Sequence, residues 1–109
     1  MKKLFLDDER QCPSGWEPVK TAEDMIYLLR TLQNVSEVSF DHDLGDGLKT
    51  GMDVINWMDE WMFFHRDWNP PTVNIHSANP KGVENMKRAL LRMEERYGKK
   101  IFGRVWSTT

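Results

Sequence analysis

Three apolar runs end in groups that can take up a proton or a metal ion. Val38-Ser39-Phe40 gives way to Asp41-His42-Asp43-Leu44-Gly45, Lys3-Leu4-Phe5-Leu6 to Asp7-Asp8, and Thr72-Val73-Asn74-Ile75 to His76-Ser77-Ala78-Asn79. Ligands of open parallel α/β sheets bind outside the carboxyl ends of the strands, so three such endings point to one site. Asp7, Asp8 and Asp41, gathered at neighbouring strand ends, would repel one another unless a cation neutralised them. Hard oxygen ligands at an open, hydrated position suit Mg²⁺ or Mn²⁺. Alone, Asp7-Asp8 could simply cap its loop. His42 and His76 could divide acid and base work in phosphoester cleavage. Each could equally be a histidine hydrogen-bonded within the fold. Ser77 and Asn79 precede a helix start whose amides suit a phosphate, and capping alone would also explain them.

Other matches fail on spacing. Gly45-Asp46-Gly47-Leu48-Lys49-Thr50 lacks the glycine spacing of a P-loop. A calcium loop starting at Asp41 would need Gly where Asp46 stands and Glu where Met52 stands. The histidine and cysteine spacings give no zinc site. Lys81, Lys87, Arg88, Arg92 and Arg96 read first as a solvated helix face rather than a nucleic-acid patch.

The elements that must hold these groups follow from periodicity. Strands are predicted over 2–6, 16–20, 35–40, 72–76 and 101–106, the second weakened by Pro18 and therefore placed at an edge. The first, short and apolar, reads as a strand buried on both faces. Thr21 caps a helix running to about residue 33, with Ala22, Met25, Ile26, Leu29 and Leu32 on one face. A second helix runs from near Gly51 to about Phe64. Its core stripe of Val54, Ile55, Met58, Trp61 and Met62 is widened by Trp57 and Phe64, which requires deep burial or an exposed aromatic margin. Asn79-Pro80 opens a third helix that ends at Gly98. Helical crossovers between apolar strands imply a parallel sheet of order 2-1-3-4-5, a flavodoxin-like α/β fold with a reduced first crossover and no terminal helix.

The chain of 109 residues reads as one domain over 1–109, with 39% hydrophobic residues and five tryptophans for its core. A net charge of -2 supplies no global attraction to nucleic acid or membrane, although residues 81–104 carry eight Lys/Arg against three Glu. The single cysteine, Cys12, excludes an internal disulfide and suits a reducing, cytoplasmic setting. The apolar run after Lys3 stops at Asp7, too short for a signal peptide, and no window suits a membrane span.

Leu6-Asp7-Asp8-Glu9-Arg10, Pro13-Ser14-Gly15-Trp16, Asp41-His42-Asp43-Leu44-Gly45 and His76-Ser77-Ala78-Asn79-Pro80 resemble, in residues and spacing, the signatures of the cyclic-phosphate-processing receiver-like domain family. The resemblance covers nearly the whole chain. It implies a receiver-type fold and a role linked to RNA repair, removing or opening terminal cyclic phosphates. Set beside phospho-acceptor receivers, Asp7 and Asp8 resemble the metal-binding acidic pair, Asp41 the acceptor aspartate and Ser77 the switch hydroxyl. Asp43 stands where a receiver's metal meets a backbone carbonyl. The lysine expected after the fifth strand is missing: Trp106-Ser107 stands there, and Arg104 is the nearest cation. His42 and His76 are additions.

The expected function is therefore a metal-dependent phosphoesterase acting on a 2′,3′-cyclic RNA end or nucleotide. Asp7, Asp8 and Asp41 would hold Mg²⁺ or Mn²⁺. His42 and His76, with Asp41 and Asp43, would carry the chemistry, and Arg10, Ser77 and Asn79 would position the phosphate. The competing expectation is a non-catalytic module that binds a phosphorylated ligand. Helix 52–64 would then be a surface for a protein partner or a second copy.

Overall fold

The computed structural model describes residues 1–106 and forms elements where the periodicity asks for them. In chain order they are β1 (Lys2–Leu6), β2 (Glu17–Val19), α1 (Ala22–Thr31), β3 (Val35–Phe40), α2 (Gly51–Phe64), β4 (Thr72–Ile75), α3 (Pro80–Tyr97) and β5 (Phe102–Val105). All pairings are parallel, in the order β2-β1-β3-β4-β5. Pro18 lies in β2, at the edge, where a missing N–H costs least. No helix follows β5 among the described residues; residues 107–109, where no further element was expected, lie outside them. Among the described residues no helix is long and apolar enough to cross a membrane.

Local chemistry sets the boundaries. The Thr21 hydroxyl accepts from the Asp24 amide at 3.1 Å, and α1 stops two residues early because Leu32 turns extended. Thr50 and Asp53 close a reciprocal capping box at the start of α2. The Asn79 side chain caps α3, with Pro80 in the first turn. β5 starts late because the amides of Ile101 and Phe102 both donate to Glu94 Oε2 at 2.8 Å.

The crossovers β2→β3, β3→β4 and β4→β5 all advance in one direction across the sheet, so right-handed connections put all three helices on one face. Against that face Leu4, Leu6, Val38, Phe40, Val73 and Ile75 join Met25, Leu29, Val54, Ile55, Met58, Met86 and Leu90 in one apolar cluster. On the opposite face β1 is buried as well, at Phe5, as expected of a strand covered on both faces. There Phe5, Ser39 and Asn74 lie side by side in register. Their cover comes from side chains, not from a helix. Phe5 stacks on His76 with ring centres 4.1 Å apart, and Trp106 and Trp16 close over them. Asn74 donates to Glu37 at 2.6 Å and accepts from the Arg104 amide at 3.1 Å.

The wide apolar stripe of α2 resolves into both alternatives at once. Val54, Ile55, Met58 and Met62 are buried, whereas Phe63 and Phe64 are exposed. Trp61 is half-buried between Trp57 and His65, stacked on both.

Candidate functional site

The ladder of the sheet runs one residue past the strand ends. Asp7 N–H donates to the Val19 carbonyl, Asp41 N–H to Leu6 and His76 N–H to Phe40, each at 3.0 Å, and Trp106 N–H donates to Ile75 at 2.7 Å. Asp7, Asp41 and His76 are thereby fixed at one edge by backbone bonds. Asp7, Asp8 and Asp41 each offer a carboxylate oxygen, all within 4.8 Å of one another. α2 packs tightly beneath: a Cβ on Gly51 would stand 2.1 Å from the Asp41 carbonyl oxygen, closer than any side chain allows.

Asp7 and Asp41 differ in electrostatics. Burial alone would raise the Asp7 pKa, but the amides of Arg10 and Glu9, both donating to Oδ1 at 2.9 Å, and His76 outweigh it and hold it below the usual range. Asp41 is pushed up, by burial first and by the neighbouring charge of Asp7, with the Ser77 hydroxyl opposing. The cluster therefore carries like-charge repulsion that a divalent cation would relieve, and its all-oxygen donors suit a hard metal.

Two of the three histidines, His76 and His42, stand behind a carboxylate. His76 is buried at 3% exposure. Its Nε2 meets Asp7 Oδ2 at 3.0 Å and its Nδ1 meets Ser39 Oγ at 2.6 Å. Burial lowers its pKa to about 4 against the pull of Asp7, so the neutral ring donates from Nε2 and accepts the Ser39 hydroxyl at Nδ1. Both nitrogens are engaged, which leaves none for a ligand. Phe5 and Trp106 cover the ring, so His76 takes the alternative of a histidine hydrogen-bonded within the fold.

His42 is partly exposed, and its Nδ1 meets Asp43 Oδ1 at 2.8 Å. The other Asp43 oxygen accepts from Asn79 Nδ2 at 3.2 Å. His42 first and then Asn79 hold Asp43 below the ordinary carboxylate range.

A crevice of about 640 Å³ opens over the edge, lined by Asp7, Asp8, Glu9, Arg10, Asp41, Asp43, Asp46, Leu48, Thr50 and Asn79 among others. Neither histidine lines it. Six acids face one arginine there, so a phosphate entering the crevice would meet net negative charge that a cation would offset. Arg10 also reaches the His76 carbonyl at 3.4 Å and Asp7 at 3.7 Å. Ser77 is buried, accepting from the Asn79 amide at 3.2 Å. The start of α3 has few amides to spare: Pro80 has none, Gly82 donates to Asn79 Oδ1 and Val83 to the Asn79 carbonyl.

Four positions had no role in the sequence reading. Ser39 orients His76, Phe5 stacks on it, Gly51 admits the Asp41 carbonyl, and Gly82 lies against His42. Ser39 carried a signal, a hydroxyl between Val38 and Phe40 in an otherwise apolar strand end. Gly82 carried another, a glycine three residues past a helix cap.

The model of the cyclic-phosphate processing receiver domain family matches residues 2–92, spanning all the strand-end acids and histidines. No curated protein and no solved structure gives a match. With the 2-1-3-4-5 parallel sheet and the acidic edge in place, the match settles the ancestry: the chain belongs to the cyclic-phosphate processing receiver domain family.

Proposed function

We propose that the protein is a metal-dependent phosphoesterase that hydrolyses a cyclic phosphate, a 2′,3′-cyclic RNA end or nucleotide. The observation that carries this reading is the crevice itself, six acids around one arginine at the edge where a receiver handles phosphate. A Mg²⁺ or Mn²⁺ ion held by Asp7, Asp8 and Asp41 would neutralise charge developing on the phosphoryl oxygens. His76 and Ser39 keep Asp7 turned into the cluster. Arg10, beside Asp7, would anchor the phosphate, and Asn79, with one amide hydrogen left, also lines the crevice.

The His42–Asp43 couple handles the proton, with Asp43 lining the crevice and His42 behind it. Water adds to phosphorus, one ribose P–O bond breaks, and the ribose oxygen takes up a proton. One water is consumed and a phosphomonoester remains. With His76 fully engaged, a single couple must serve both the attacking and the leaving oxygen.

A second reading gains from the same geometry. Because neither ring lines the crevice, the domain could hold a phosphorylated ligand without turning it over. Phe63 and Phe64, 53% and 69% exposed at the end of α2, would then meet a protein partner. The half-buried thiol of Cys12, its pKa raised by burial, fits a cytoplasmic setting under either reading.

Turnover and affinity for a 2′,3′-cyclic nucleotide, measured in parallel on wild type and His42→Ala with Mg²⁺ or Mn²⁺, separate the two. The enzyme reading expects kcat to fall about 10²–10⁴-fold while affinity changes little. Wild-type binding without turnover in any divalent metal selects the binding module.

A further inference from the structure

Gly82 lies in the third position of α3, with ordinary helical backbone and its amide on the Asn79 cap. Glycine at a helical position costs stability relative to alanine, and no left-handed turn requires it here. What requires it is a neighbour. A Cβ built there would stand 2.6 Å from His42 Cγ, 2.8 Å from Cδ2 and 2.9 Å from Cβ, and these are its three nearest atoms. The imidazole therefore rests directly on the first turn of α3. Asp43 takes the Nδ1 edge of that ring, and Asn79, the cap of the same turn, takes the far oxygen of Asp43.

We propose that the first turn of α3 is a built seat for the His42–Asp43 couple, with Gly82 and Asn79 as its positioning residues. The proposal rests on the assignment of proton handling to that couple and extends it. Gly82 fixes where the ring lies, and Asn79 fixes which way the Asp43 carboxylate turns. Because His42 and Asp43 belong to the loop after β3, the seat couples that loop to the start of α3. The two loops that border the crevice are thus held in one register.

A Gly82→Ala substitution read in two backgrounds tests the seat. In wild type the methyl displaces the ring, and the melting temperature falls. In His42→Gly all three obstructing atoms, Cβ included, are gone and alanine is the better helix former at position 82, so the same substitution raises the melting temperature, by roughly 2–6 °C. Gly82→Ala should lower kcat by about 10²-fold with KM within about twofold, as a small misplacement of a reacting group does. The pair together should cost no more turnover than His42→Gly alone. Asn79→Ser keeps a capping oxygen but loses the amide that holds Asp43, so it should lower kcat with little thermal change.

A melting temperature that moves the same way in both backgrounds overturns the seat, as does failure of Gly82→Ala to fold in both. Folding only in the His42→Gly background supports it. If wild type shows no turnover at all, the enzyme assignment fails, and the sign reversal in melting temperature alone decides the seat.

Discussion

His76 carries the clearest pH signature of any single residue, because its neutral ring is locked under Asp7. Its folded pKa of about 4 lies below the unfolded value near 6.5. Between those values the unfolded chain binds the proton and the native protein does not, so stability falls as pH drops from about 6.5 to about 4. The full effect is roughly 3 kcal/mol. Asp7, also depressed, acts in the same direction at lower pH, and Asp41, raised, opposes it. Urea unfolding of the metal-free protein should show this slope in wild type and a flattened one in His76→Gln. An equally steep slope in His76→Gln would remove His76 as its source. The histidines also mark how far sequence reaches. That both stand beside acids was legible from adjacency and strand ends. That one is sealed was not, since its cover comes from Phe5, Trp16 and Trp106, far away in the chain.

At the scale of elements, the site depends on how closely α2 approaches β3. Gly51→Ala would press a methyl against the Asp41 carbonyl, a backbone atom that cannot swing aside. The expected cost is about 1–3 kcal/mol, with a weakened thermal response to Mg²⁺ because Asp41 must shift. Unchanged stability together with an unchanged metal response would show that α2 can retreat without moving the acid. Thr50→Ala, which opens the capping box of α2, should cost about 1 kcal/mol in the same unfolding measurement. Strands and helices were legible because apolar periodicity switches cleanly, from Val35–Phe40 to the stripe of Val54, Ile55, Met58 and Met62. The close contacts were not, because a glycine's neighbour is set by packing between elements and leaves no mark in periodicity.

The whole molecule is two layers, with three helices on one side of the sheet and a polar, aromatic skin on the other. Sheet order followed from crossover rules, but the skin did not: Asn74, Glu37 and Ser39 carry no sign in sequence of the partners that cover them. A net charge of -2 likewise concealed six acids gathered in one crevice. That concentration predicts a metal response of the whole fold. A cation bound only to the native state at ~100 times its Kd adds about 2.7 kcal/mol, seen as a higher melting temperature that Asp41→Asn abolishes. No shift across millimolar Mg²⁺ and Mn²⁺ would argue that the acids stay apart from any metal. The most direct test of the central claim follows a 2′,3′-cyclic nucleotide by phosphorus NMR in the presence of the protein and Mg²⁺. The cyclic ester resonance should be replaced by one phosphomonoester resonance, and conversion should stop with a chelator or in Asp41→Asn. A cyclic ester that persists with wild-type protein, Mg²⁺ or Mn²⁺, or one that is opened equally well by Asp41→Asn, would contradict it.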